Sequence, residues 1–160
     1  MENLNQNLKI FLSQIKNKNL KLSVAESVTG GKFASLITSI SGASNYFKLG
    51  IICYSNEAKK KILKIDQLIL KNKGAVSKET AEAMLRGILK LISVDFALSF
   101  TGNAGPSIME DKELGLSYIG IYYKGKFEIF KYKSMLKNRK KIILDTINYS
   151  LEESIKILEK

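Results

Sequence analysis

The chain has 160 residues, of which 45% are apolar and 26% are charged, a composition typical of one globular domain with a hydrophobic core. With no histidine and one cysteine, it excludes a Ser-His-Asp triad, a Cys-His dyad, a histidine-based zinc site and an internal disulfide. The net charge is +11, but only Arg86 and Arg139 are arginines, so we expect weak, salt-sensitive attraction to polyanions and no specific nucleic-acid site.

Helices and strands are predicted to alternate along the chain. Apolar residues at helical spacing predict helices, and apolar or alternating runs between turn residues predict strands. Helices are predicted over residues 3–17, 33–40, 56–64 and 67–71, over a longer segment capped by Ser77, and from about Asn138 onward. Strands are predicted over residues 20–25, 49–54, 96–100, 116–123 and 126–132, with a hairpin turn at Lys124-Gly125.

This alternation predicts the fold class. Helices between strands, together with one hairpin, favour a three-layer α/β/α sandwich on a mixed, mostly parallel sheet of about five strands. We expect residues 1–160 to form a single domain. Ligands of such sheets bind beyond the carboxyl ends of parallel strands. Two predicted loops occupy that position, one after Ala25 and the other after Phe100.

The N-terminal segment indicates where the protein resides. Residues 1–19 are polar and amphipathic and lack the apolar stretch of an export signal. No window approaches the roughly 18 to 20 apolar residues of a membrane span. The sequence therefore predicts a cytoplasmic protein without a membrane partner. Cys53 lies among apolar neighbours and is interpreted as a small core residue in a reducing compartment, rather than as a nucleophile.

The first loop combines hydroxyl groups with glycines at a helix start. Ser27 and Thr29 supply the hydroxyls, and Gly30 and Gly31 supply flexible backbone. Unpaired N–H groups at such a place favour a phosphate or a carboxylate. A simpler interpretation is that a hydroxyl caps the helix while the glycines relieve crowding. The residues alone leave both interpretations open.

The second loop, residues 101–106, contains two glycines, an asparagine and the only proline of the chain after an apolar strand. A tight turn explains this composition nearly as well as a binding site does. The predicted position of both loops at one edge of the sheet favours a role in binding.

A third segment, Tyr54-Ser55-Asn56-Glu57-Ala58-Lys59, follows an apolar strand. Without histidine, a neutral lysine amine can activate a serine hydroxyl if burial or a neighbouring cation lowers the pKa of that lysine. Lys59 is the best placed lysine, because it lies one turn into a helix at a strand end. The alternative is that Lys59 is a solvated surface charge in the run of residues 59–61.

Four blocks of the sequence are informative when taken together. They are Ala25-Glu26-Ser27-x-Thr29-Gly30-Gly31, Tyr54-Ser55-Asn56-Glu57-Ala58-Lys59, Gly74-Ala75-Val76-Ser77 and Thr101-Gly102-x-Ala104-Gly105-Pro106. Together they resemble the CinA C-terminal domain family, the nicotinamide-nucleotide amidases. The blocks occur in the family's order, and the resemblance spans about residues 5–155.

The resemblance implies hydrolysis of nicotinamide mononucleotide to nicotinate mononucleotide and ammonia, in pyridine nucleotide salvage, without metal or cofactor. By position, it implies Ser44 as the nucleophile, Lys59 as its base and Tyr54 as a residue that assists proton transfer or orients the amide. Arg139 would hold the phosphate. The remaining implied substrate-binding residues are Ser27, Thr29, Gly30, Gly31, Thr101, Gly102, Ala104 and Gly105. A homodimer is also expected for a small α/β domain with this apolar content.

The chain departs from the family pattern at several positions. Val28 stands where a cysteine is usual, Asn103 replaces a commonly apolar residue, residues 107–110 replace a glycine-rich stretch, and Glu113 replaces a proline. These departures motivate an alternative, a nucleotide-binding protein with weakened catalysis. The net charge alone motivates a third interpretation, a basic module that interacts with nucleic acid.

Overall fold

A five-stranded sheet forms the centre of the protein in the computed structural model, which describes residues 2–107 and 110–160. Its strands are β1 (Leu22–Glu26), β2 (Phe47–Ile52), β3 (Phe96–Gly102), β4 (Leu116–Tyr123) and β5 (Lys126–Lys133). The order across the sheet is β2-β1-β3-β4-β5. β1 pairs in parallel with both β2 and β3, whereas β4 pairs antiparallel with β3 and β5. The predicted mixed sheet of five strands is confirmed.

The helices match the predicted ones in order and closely in extent. They are α1 (Glu2–Asn17), α2 (Lys32–Thr38), α3 (Asn56–Leu63), α4 (Gln67–Asn72), α5 (Lys78–Leu91) and α6 (Arg139–Glu159). A short 3-10 turn, Ala43–Asn45, precedes β2. Ser77 caps α5 as predicted, because its hydroxyl accepts the N–H of Thr80 at 3.1 Å. None of the helices in the described part of the chain has the length and apolar character that a bilayer crossing requires.

Helices cover both faces of the sheet. Apolar side chains of α1, α2 and α6 form a core on one face, around Phe11, Phe33 and Leu151. Side chains of α3 and α5 form the other core, around Leu63 and Met84. Each residue of β1 is buried, as expected for a central strand covered on both faces. The predicted three-layer α/β/α sandwich is confirmed.

The parallel register of β1, β2 and β3 brings their carboxyl ends to one edge of the sheet. Just beyond β1, the N–H of Ser27 donates to the carbonyl of Phe100 in β3 at 2.9 Å, and the N–H of Cys53 after β2 donates to the carbonyl of Glu26 at 2.8 Å. Three loops far apart in sequence therefore begin side by side. This edge contains the candidate site.

Candidate active site

A buried pair of side chains, Ser27 and Lys59, lies at the carboxyl edge of the sheet. Ser27 follows β1, and Lys59 lies in the first turn of α3 after β2. The Lys59 amine donates hydrogen bonds to Ser27 Oγ at 2.8 Å and to the carbonyl oxygen of Cys53 at 2.9 Å. Lys59 is 1% exposed and Ser27 is 7% exposed. The interpretation of Lys59 as a solvated surface charge is therefore wrong.

Burial changes the acid-base properties of this pair. Removal from water disfavours the charged ammonium and lowers the pKa of Lys59 from its ordinary value, while the charges of Cys53 and Glu110 oppose this effect. A lowered pKa increases the fraction of neutral amine near physiological pH. A neutral amine within 2.8 Å of a hydroxyl can accept the hydroxyl proton.

A small cavity opens beside Ser27. Its volume is about 140 Å³, and it is lined by Ser27, Val28, Tyr54, residues 102–105, Ser107 and Arg139. The loops after β1, β2 and β3 and the start of α6 thus contribute to one cavity. Of the predicted site residues, the structure brings together Ser27, Lys59, Tyr54, Gly102, Ala104, Gly105 and Arg139.

Arg139 joins two walls of this cavity. As the first residue of α6, it donates one hydrogen bond to the carbonyl of Gly105 and a second to the Tyr54 hydroxyl, the latter at 2.8 Å. Tyr54 is 61% exposed. The arrangement places a guanidinium at the cavity with N–H donors left over, because arginine has five.

The structure does not bring Ser44 to Lys59. Ser44 lies exposed in the 3-10 turn before β2, whereas Lys59 lies beyond the other end of that strand. β2 has six residues, which span about 20 Å at 3.3 Å per residue. We therefore correct the implied Ser44–Lys59 pair: the serine next to the amine is Ser27, which had been expected only to bind substrate.

The N-terminus of α2 already holds an anion of the protein itself. The Glu26 carboxylate accepts hydrogen bonds from the N–H groups of Gly31, Phe33 and Ala34 at 3.0, 3.2 and 2.8 Å, and Glu26 is 1% exposed. The prediction that Gly30 and Gly31 present free N–H groups to a substrate anion is therefore corrected. The positive end of the helix is satisfied internally by a carboxylate.

Two further predicted residues lie beside the cavity without lining it. Thr29 is buried, and its hydroxyl has no hydrogen-bond partner among the described residues. The Thr101 hydroxyl donates to the carbonyl of Ala75 at 2.6 Å, so it ties β3 to the turn before α5. Gly102 does line the cavity, and a Cβ there would come within 2.4 Å of Ser117 Oγ. Close approach of β4 thus requires glycine at this wall.

The departures from the family pattern cluster around the cavity. Val28 and Asn103 line it, and so does Ser107. Ile108 and Met109 lie outside the described residues. Glu113 forms an exposed ion pair with Lys133 at 2.7 Å, which contributes little stability at the surface. The Glu110 carboxylate accepts the N–H groups of Ala75 and Val76 at 2.6 and 3.2 Å, in part-buried contacts that the sequence did not indicate.

The Glu26 carboxylate binds the free N–H groups at the N-terminus of α2. Replacing Glu26 by alanine is therefore expected to destabilise the protein. Glu26→Ala leaves three N–H groups without their acceptor, and we expect a loss of about 2–4 kcal/mol in the free energy of unfolding. Glu26→Gln should lose less, because its carbonyl oxygen still accepts. Urea denaturation measures both. Glu2→Ala, at an exposed position in the first turn of α1, is the matched control, and an equal loss in that variant would contradict this role.

The fold and the cavity define an α/β protein with a buried Ser–Lys pair at the carboxyl edge of its parallel strands. The family description "CinA C-terminal domain" matches residues 5–158. The chain therefore belongs to the CinA C-terminal domain family.

Curated relatives and solved structures agree with this membership. The chain is 47% identical over 131 residues to a putative competence-damage inducible protein of Caldicellulosiruptor saccharolyticus, with 81% of this chain and 32% of the relative covered. A CinA-like protein of Endomicrobium trichonymphae is 47% identical over 132 residues, with 82% of this chain and 31% of the relative covered. The chain spans about a third of the length of these relatives.

Two crystal structures share the fold. A competence-damaged protein (CinA) superfamily protein of Klebsiella pneumoniae superimposes with a TM-score of 0.93 at 21% identity, covering 98% of both chains. A competence/damage inducible protein, CihA, of Agrobacterium tumefaciens has a TM-score of 0.91 at 29% identity, covering 99% of this chain and 96% of that chain.

Proposed function

We propose that this protein is a nicotinamide-nucleotide amidase in which Ser27 is the nucleophile and Lys59 is its base. The observation that carries the proposal is the 2.8 Å contact between the buried Lys59 amine and Ser27 Oγ at a cavity that also contains Tyr54 and Arg139. The family membership and the four sequence blocks support the same substrate class.

In the proposed first step, neutral Lys59 accepts the proton of Ser27 while Oγ attacks the carbon of the substrate carboxamide. The resulting tetrahedral intermediate collapses when the Lys59 ammonium returns this proton to the nitrogen, which leaves as ammonia. An ester between Ser27 Oγ and the carboxyl group of nicotinate mononucleotide remains. A water molecule, deprotonated by Lys59, then hydrolyses this ester and regenerates the serine hydroxyl.

The intermediate needs donors for its oxyanion, and the loop after Ser27 can supply them. The backbone N–H groups of Val28 and Thr29 donate to no acceptor in the described part of the chain. Unpaired N–H groups directly after a nucleophile stabilise developing negative charge without reorganisation. We assign the oxyanion site to this segment.

The cavity dimensions suggest how a nucleotide binds. At about 140 Å³, the cavity is smaller than the 300 to 1,000 Å³ of typical ligand pockets, so it fits the pyridine carboxamide while the ribose and phosphate extend beyond it. Tyr54 lies at the mouth with an exposed ring. Arg139, with donors left over, is the group we assign to the phosphate.

The direct test is incubation of the purified protein with nicotinamide mononucleotide, followed by measurement of ammonia and of the acid product. Equimolar formation of both supports the proposal. Nucleotide binding by calorimetry without turnover would instead favour the catalytically weakened binding protein, which the bulkier residues around Ser107 motivate. Absence of both binding and turnover would overturn both interpretations.

We expect the reaction to be independent of metal ions. The sequence lacks histidine and has one cysteine, and the proposed base is an amine. Prolonged treatment with EDTA should leave kcat unchanged, measured against an untreated sample. Loss of activity that a single divalent cation restores would contradict this expectation.

The proposal also covers the cellular location and the oligomeric state of the enzyme. Salvage of pyridine nucleotides places the enzyme in the cytoplasm, and we propose that it acts there as a homodimer. Sedimentation analysis of the purified protein tests the dimer.

A further inference from the structure

Arg139, the residue assigned to the substrate phosphate, has no carboxylate that holds it in place. Its guanidinium donates to the carbonyl of Gly105 and to the Tyr54 hydroxyl, and none of the ion pairs in the described part of the chain includes it. Tyr54 is itself exposed, so it is a weak anchor. The position of the guanidinium therefore depends on where the first turn of α6 lies relative to the Gly105 loop.

A buried serine fixes the segment that leads into α6. Ser134 directly follows β5 and is 2% exposed. Its hydroxyl donates to the Asp145 carboxylate, in the second turn of α6, at 2.6 Å. The same hydroxyl accepts the N–H of Leu136 at 3.3 Å. Ser134 thus ties the connection between β5 and α6, residues 134–138, to the body of that helix.

Asp145 joins a second residue of β5 to α6. The same carboxylate oxygen that accepts from Ser134 also accepts from the Tyr132 hydroxyl, at 2.7 Å. The Tyr132 ring stacks on Tyr149 of α6, with the ring centroids 4.2 Å apart. Hydrogen bonds to a carboxylate are shorter and stronger than those between neutral groups. A shift of α6 along β5 would therefore break several strong contacts at once.

The backbone of Ser134 connects this anchor to the cavity wall. The Ser134 N–H donates to the carbonyl of Gly115 at 3.0 Å, and the Gly115 N–H donates to the carbonyl of Asn103 at 2.8 Å. A Cβ at Gly115 would lie 2.4 Å from the Ser134 carbonyl oxygen, so this close approach requires glycine. Asn103 lines the cavity. A path of hydrogen bonds thus runs from the wall through Ser134 to α6, and Arg139 closes it at Gly105.

We propose that Ser134 is a positioning residue that acts through Arg139. By joining the cavity wall to Asp145 of α6, it holds the Arg139 guanidinium at the cavity. The catalytic consequence rests on the proposed function, because it requires that Arg139 bind the substrate phosphate. The dependence of the Arg139 position on Ser134 does not require any substrate.

The first test observes Arg139 directly. The chain has two arginines, Arg86 and Arg139, so protein labelled with ¹⁵N at arginine Nε gives two side-chain signals, and the loss of one in Arg139→Lys assigns both. In Ser134→Ala the heteronuclear NOE of Arg139, which reports fast motion, should fall. The signal of Arg86, which pairs with Glu82 on α5, should stay unchanged. An unchanged NOE of Arg139 would overturn the proposal.

The second test separates binding from chemistry. Ser134→Ala should raise KM for nicotinamide mononucleotide about threefold to tenfold, the loss expected for one hydrogen bond. Its kcat should stay within about twofold of wild type, because Ser27 and Lys59 are unchanged. In an Arg139→Ala background, Ser134→Ala should not raise KM further, because the residue through which it acts is gone. An equal rise in both backgrounds would overturn the proposal.

Asp145→Asn is a second, milder variant. It keeps an acceptor oxygen and removes the charge, so KM and the Arg139 NOE should change in the same direction as in Ser134→Ala and by less. This variant also tests the proposal if Ser134→Ala does not fold. An Arg139 NOE equal to that of wild type in Asp145→Asn would then overturn it.

Ser150→Ala is the matched control. Ser150 is also a buried serine, and its hydroxyl donates to the carbonyl of Ile147 within α6. Its KM and its Arg139 signal should match wild type, and changes equal to those of Ser134→Ala would overturn the proposal. If the wild-type protein lacks amidase activity while the Arg139 NOE still falls in Ser134→Ala, the proposed function is refuted and the positioning role is retained.

Discussion

Replacing Ser27 by alanine or Lys59 by methionine is expected to lower kcat for amide hydrolysis at least about a thousandfold, because removal of one member of a nucleophile–base pair disables the whole pair. Methionine fills the space of the buried Lys59 chain without its amine. Circular dichroism and thermal unfolding should show that both variants fold. Single-turnover measurements with nicotinamide mononucleotide give the loss in the chemical step.

Ser44→Ala is the matched control for this prediction. Ser44 is exposed at the end of β2 that lies away from Lys59, so its hydroxyl is too distant to attack the substrate carboxamide. The kcat of Ser44→Ala should therefore stay within about twofold of wild type. Activity near wild type in Ser27→Ala, together with loss in Ser44→Ala, would contradict the assignment of the nucleophile.

Arg139→Ala is expected to raise KM for nicotinamide mononucleotide by about tenfold to a hundredfold. A charge-assisted hydrogen bond to phosphate contributes roughly 1.5–3 kcal/mol, and each 1.4 kcal/mol changes affinity about tenfold. Nicotinamide riboside lacks the phosphate, so its KM should change much less. Steady-state kinetics on both substrates measures the difference.

The wall contacts of Arg139 require their own control. The substitution also removes the hydrogen bonds to Gly105 and Tyr54, an effect common to both substrates. Tyr54→Phe removes only the hydroxyl side of this contact and isolates that part. If Arg139→Ala raises KM equally for nucleotide and riboside, Arg139 supports the cavity wall and does not recognise phosphate.

Local patterns in the sequence determined the elements of this fold. Three local signals can be recognised without knowledge of the tertiary structure, because each acts over a few residues. They are the helical spacing of apolar residues, the Ser77 cap and the Lys124-Gly125 turn. The alternation of these elements also predicted the three layers, because a helix and a sheet each must cover an apolar face. The edge of the sheet that holds the cavity followed from the parallel strands.

The partner of Lys59 was decided by the tertiary structure. Ser27 and Lys59 are 32 residues apart, and they meet because β1 and β2 are parallel neighbours whose carboxyl ends coincide. Ser44 precedes β2, so the same strand direction moves it to the opposite edge. The available signal was that Ser27 lies two residues beyond the carboxyl end of the strand predicted over residues 20–25, and that the segment containing Lys59 also follows a predicted strand.

The tertiary structure also decided which N–H groups two of the carboxylates bind. Glu26 turns back to the N–H groups of α2, and Glu110 reaches the turn before α5 across 35 residues of sequence. A glycine-rich loop at a helix start has the same sequence whether its N–H groups bind a substrate or a side chain of the protein. Thus the sequence by itself determined which groups could bind an anion, whereas the three-dimensional packing of the chain decided which anion they hold.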